Sequence, residues 1–218
     1  MTYQLAHSEP KEFHSKWFYA VSGASAFIVG GLLVIGAVEL IPAVLWPGAK
    51  SNWLSPFQNN WLMILFKLHA DFSDVQYNLL DQLNVLDLFI LILVGIIFVG
   101  LYMALCRISK LWSLIALAQP ILGMIIFIAT KTAGRSSVMG AELVISMLML
   151  RSNLFAKPIA FIGAMSALLL LAGDIGESIA PSDFLAILMG VGYVLLMSWL
   201  FLIGVKLLQL GQATHGGK

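Results

Sequence analysis

Six apolar runs separated by short polar stretches dominate the pattern along the chain. An apolar helix of about 20 residues crosses a hydrocarbon core about 30 Å thick. Span 1 covers Trp17 to Ile41, with Trp17 and Tyr19 as interfacial anchors and Pro42 near its end. Span 2 covers Leu83 to Cys106, with Asp87 at its start and Arg107 and Lys110 just beyond it. Span 3 covers Leu111 to Thr130 and carries Gln119-Pro120, a kink signal. Span 4 covers Ser137 to Leu150 and is short unless it begins near Ala133. Span 5 covers Pro158 to Ala172, with proline at a helix start. Span 6 covers Phe184 to Leu208.

Between spans 1 and 2 the period changes. From Trp53 to Phe72, apolar residues recur at three and four, with Gln58, Asn59, Lys67 and Asp71 on the other side. That pattern predicts an amphipathic helix lying on the membrane surface within an outer segment, 47–82. The fold expected is therefore all-α: a polytopic membrane bundle of six transmembrane helices plus one interfacial helix. Residues 17–208 form one transmembrane domain, flanked by cytoplasmic tails at 1–16 and 209–218. In span 1, Ser22, Ala26 and Gly30 make a small-residue stripe that lets another helix approach closely.

Composition agrees: 60% of residues are hydrophobic and 11% charged, against about 25% charged in soluble domains. Net charge is +1, which leaves no basic face for nucleic acid. The lone Cys106 excludes an internal disulfide and a Cys-rich metal site. Ala24-Ser25-Ala26 resembles a cleavage site, but apolar sequence continues past it, so the first run reads as an uncleaved anchor. Six spans put both termini on one side. With the tails inside, the inner surface holds Lys11, Lys16, Arg107, Lys110, Arg151, Lys157, Lys206 and Lys218. The outer surface holds only Lys50, Lys67, Lys131 and Arg135. This asymmetry predicts that both termini are cytoplasmic.

Helical rise converts position into depth. Glu142 is nine residues from Arg151 and so lies roughly 13 Å above the inner surface, near mid-bilayer. Gln119, Ser166 and Ser198 fall at similar heights, counted from Lys110, Lys157 and Lys206. The expectation is one polar layer of Gln119, Glu142, Ser166 and Ser198. A charged carboxylate there costs on the order of 3 kcal/mol or more, so Glu142 should face the bundle interior. As a neutral acid it could donate to an amide oxygen such as that of Gln119. Two readings stay open: a proton or cation site, or a neutral acid that fixes helix register.

A second constellation is an outer acidic mouth of Glu39, Asp87, Asp174 and Glu177, with His69, Asp71 and Asp74 in the segment above. Hard cations want carboxylate oxygens, and zinc would add the imidazole. The plainer reading is a solvated edge paired with Lys131 and Arg135. No span carries a central histidine for haem or a central lysine for a Schiff base, and no cofactor is expected. Met124, Met139, Met147, Met149 and Met165 could line a soft pocket or be ordinary lipid and core contacts.

The stretch GRSSVMGAELVISMLMLRSNLF, followed by a span ending LLLAGDIG, resembles small six-span bacterial inner-membrane proteins of an uncharacterised family, a domain of unknown function. LNVLDLFILILVGIIFVGLYMALCRISKLW is similar to it as well. The resemblance covers about Trp61 to Leu208. It implies a compact bundle in a bacterial membrane and carries over no catalytic residue. The expected function is non-enzymatic: binding a lipophile between helices, or serving as an accessory subunit. Partners would be membrane lipids, another membrane protein or a second copy. The alternatives are a small transporter coupled to protons or cations through Glu142, and a membrane enzyme at the outer mouth using His69.

Overall fold

The computed structural model describes residues 9–45, 85–130, 134–179 and 183–212. Among the described residues there are six helices and no strand. They are α1 (Glu9–Leu45), α2 (Val85–Leu105), α3 (Lys110–Thr130), α4 (Gly134–Leu150), α5 (Lys157–Ile179) and α6 (Asp183–Gln212). The predicted interfacial helix, with His69, Asp71 and Asp74, lies outside the described residues.

Each helix packs on the next, and α6 returns to α1, so the six close a ring with α2 also touching α4. Neighbours run antiparallel. The Gly211 end of α6 lies against Lys16 and Ala20 of α1, while Gly204 meets Gly23 and Phe27. Ser22 donates to the Ile96 carbonyl of α2 at 2.9 Å and fits beside Gly100. One end of the ring therefore collects the start of α1, the end of α6 and the turns at 106–109 and 151–156. Lys16, Arg107, Lys110, Arg151 and Lys157 lie on these segments. A continuous apolar core runs from Ala26 and Leu33 through Ile97 and Leu101 to Leu170 and Ile203.

Three helices outrun their predicted ends, and α6 runs to Gln212, past Leu208 and into the stretch expected to be tail. α1 already starts at Glu9, where an acid and Pro10 suit a helix N-terminus. α5 continues to Ile179, past Gly173 and Gly176. Glycine disfavours a helix through backbone entropy, but here Met189 and Leu185 of α6 fill the spaces those glycines leave. Tertiary packing outweighs propensity. Pro120 sits inside α3, which continues through it.

Three stretches are long and apolar enough to cross a membrane: Lys16–Ile35, Lys157–Gly176 and Ile187–Gln212. Two shorter apolar stretches, Ile92–Leu105 and Ser136–Leu150, lie in α2 and α4. The helical bundle is thus present, and among the described residues three helices have spanning length by composition.

Candidate functional site

Glu142 faces packed protein. It is 4% exposed on the α4 surface that meets α5. Its carboxyl group hydrogen-bonds the Ser166 side chain, while Oε1 has no partner among the described residues. Ser166 is itself fully buried and donates to the Gly192 carbonyl of α6 at 3.1 Å. A hydroxyl has one proton. That single proton serves either the Gly192 carbonyl or the Glu142 carboxyl, so one of the two contacts draws on the hydroxyl lone pairs or goes unfilled.

One turn along α4, Ser146 shares this face. Ser146 Oγ and the Trp199 Nε1 of α6 both lie under 3.0 Å from where a Gly163 Cβ would stand, so they are less than twice that distance apart. Neither atom has a partner among the described residues. Gly163 is the gap that admits both groups between α4, α5 and α6. The arrangement is a buried polar cluster of Glu142, Ser146, Ser166 and Trp199 with spare hydrogen-bonding capacity.

Gln119 lies elsewhere. Its side chain rests against Gly140, and its backbone carbonyl accepts from Ser137 Oγ at 2.6 Å. Gly140 and Glu142 are two residues apart, roughly 200° around α4, so they face different neighbours. Gln119 Oε1 is buried without a partner among the described residues, but it does not meet Glu142. Ser198 satisfies itself, donating to the Val194 carbonyl of its own helix at 2.9 Å. The four expected members of the layer thus divide: Glu142 with Ser166, Gln119 with α4 on another side, Ser198 on its own backbone.

At the other end of the ring, Ser136 donates to Asp174 Oδ2 at 2.6 Å, tying α4 to α5. Glu39, Asp87 and Glu177 lie on α1, α2 and α5 near the same end. Among the described residues, no three His, Cys, Asp or Glu side chains gather as a metal site. Cys106 Sγ donates to the Met103 carbonyl at 3.5 Å. Met139 and Met149 are core residues, whereas Met147 and Met165 are exposed.

A groove of about 300 Å³ lies between α3 and α4, lined by Trp112, Leu143, Val144, Met147, Leu148 and Arg151. Trp112 and Met147 are about half exposed, so it opens on the outer surface of the ring.

The chain matches no family model, no curated protein and no solved structure.

Sequence reasoning missed Ser146, Trp199 and the groove. Trp199 carried a usable signal: tryptophan favours membrane interfaces, and this one sits seven residues inside the last basic residue of its helix, Lys206. Ser146 is four residues from Glu142, the spacing of one helical face. The groove had no linear signature, because its walls come from two helices.

Proposed function

We propose that the chain is an integral inner-membrane protein of six spans, with both termini cytoplasmic, that binds a lipophilic molecule and catalyses no reaction. The α3–α4 groove carries this reading: five of its six lining residues are apolar, and it opens toward the surface that would meet lipid. The setting supports it. Exposed Phe161, Met165, Leu168, Ile175 and Ile179 form an outward row on α5 about 27 Å long. Phe184, Ile187, Val191, Val194 and Val205 form a row on α6 about 32 Å long. Both match a hydrocarbon core about 30 Å thick, and exposed rows of this size want lipid. The basic residues at the end shared by the termini support the cytoplasmic orientation. The likeness to small six-span bacterial proteins points the same way. The Ser22, Ala26 and Gly30 stripe is covered by this chain's own α2 and α6, so assembly through it is not favoured.

Two experiments test the reading. A reporter fused after Lys218 should be active only as a cytoplasmic fusion, and periplasmic activity would overturn the orientation. A photoactivatable alkyl probe should label Trp112, Val144 and Met147 above the outward residues Leu168, Val191 and Val194. Equal labelling of both sets would remove the groove as a binding site.

A second reading has its own observation. Glu142 Oε1, Ser146 Oγ and Trp199 Nε1 leave hydrogen-bonding capacity free deep in the bundle, and intramembrane acids mark proton and ion paths. Under proton- or cation-coupled transport, Glu142→Gln folds normally and abolishes uptake driven by a pH gradient in proteoliposomes. Unchanged uptake would exclude Glu142 as the coupling group.

A further inference from the structure

The groove between α3 and α4 is not uniform along its length. Its lining runs from Leu143 on α4 to Arg151 in the turn just after it, roughly 12 Å apart along the axis. The Leu143 end lies toward the middle of the ring, and the Arg151 end at the basic turns. One wall is Trp112, from the first turn of α3. The cavity is therefore an apolar trough with the exposed Arg151 at one end, contributing its apolar stem to the lining and leaving its guanidinium at the mouth.

That guanidinium has no acid close in the chain. Helices α3 and α4 and the turn leading to α5 contain no acidic residue except Glu142. Glu142 is buried against α5, nine residues up the helix. Arginine offers a planar fork of donors that matches phosphate oxygens two at a time. Arg107, Lys110 and Lys157 lie on the same end of the ring and raise the local positive potential. Trp112 is half exposed, with an apolar body and one N–H, the character suited to headgroup depth. Met147 is flexible enough to adapt to a mobile chain.

We propose that this groove holds an anionic phospholipid, with an acyl chain against Trp112, Leu143, Val144, Met147 and Leu148 and the phosphate at Arg151. The assignment rests on the lipophile-binding reading above and adds the ligand class. A neutral lipophile would leave Arg151 unused, and inorganic phosphate would leave the apolar wall unused.

The test is native mass spectrometry of the full chain, released from nanodiscs containing phosphatidylglycerol and phosphatidylcholine with matched acyl chains. Wild type should retain phosphatidylglycerol about fivefold over phosphatidylcholine, the scale of one basic side chain at an anionic surface. Arg151→Gln should bring the two lipids to parity while still retaining both. Arg107→Gln, at the same end but outside the groove, should keep most of the preference. Leu143→Trp should lose both lipids. Met147→Trp, at a half-exposed position, does the same job should Leu143→Trp fail to fold. No headgroup preference in wild type, full preference in Arg151→Gln, or an equal loss in Arg107→Gln would each overturn the anionic assignment and leave lipophile binding standing. Equal lipid retention by wild type and both filled-groove variants would overturn lipophile binding itself.

Discussion

Two serines of this protein sit in glycine notches, and their fates differ. Ser22 of α1 fits beside Gly100 of α2 and gives its proton to the Ile96 carbonyl at 2.9 Å. That notch is closed: one small side chain, one partner. Ser146 of α4 fits beside Gly163 of α5, but Trp199 of α6 enters the same space, and neither polar atom finds a partner among the described residues. Close helix approach and polar satisfaction are thus separate achievements. Two helices meeting at a glycine can do both. Three helices meeting at one glycine bring more polar groups than the packing satisfies, and spare capacity appears beside Glu142.

The largest expected effect separates the notches by rescue. Gly163→Ala should cost about 1–3 kcal/mol, the usual range for overpacking, because the bulky Trp199 ring has little room to withdraw. Gly100→Ala also overlaps Ser22, yet adding Ser22→Gly should restore most of the loss. Ser146→Gly should not rescue Gly163→Ala, since Trp199 remains. Reversible unfolding in mixed detergent micelles reads all four variants, and full rescue at Gly163 would erase the distinction.

Next is Ser22→Ala, which removes a completed interhelical bond. A loss of about 0.6 kcal/mol is expected, with about 1.7 as the upper range for such bonds. Trp199→Phe should do the opposite. It deletes an N–H that has no partner, so stability should hold or rise slightly in the same assay. A loss of more than about 1 kcal/mol would mean that the indole N–H is satisfied after all, for instance by a bound water.

The smallest effect tests geometry. Glu142→Leu and Gln119→Leu should be additive within about 0.5 kcal/mol, as expected of residues with no shared partner. Glu142→Leu and Ser166→Ala should couple instead. The reverse pattern would place Gln119, not Ser166, at the carboxyl group.

The notches also show why the sequence was only partly informative. Ser22 was legible: serine, alanine and glycine at a spacing of four announce a close helix contact, and α2 and α6 make it. Gly163 was not legible, because its importance comes from Ser146 and Trp199 on two other helices. α3 and α4 began close to where their apolar runs predicted, while α5 ran on through Gly173 and Gly176. The reason is local: the fill from Met189 and Leu185 belongs to α6, and nothing within α5 shows it. Arg151 read only as a topology marker, since its companion Trp112 is on another helix.

What the sequence determined by itself was the axial coordinate. A helix rises by a fixed step, so counting from the basic turns set Glu142 and Ser166 at one height, and the structure has their side chains together. The same count set Gln119 and Ser198 at that height, and there the prediction of a shared layer ended. What tertiary structure alone decided was the azimuth. Which face of α4 looks at α5, and which at α3, follows from how six helices close a ring through glycine contacts far apart in sequence. Glu142 therefore met Ser166, Gln119 met Gly140, and Ser198 turned to its own backbone. Rise belongs to one helix, whereas facing belongs to the packing of all of them.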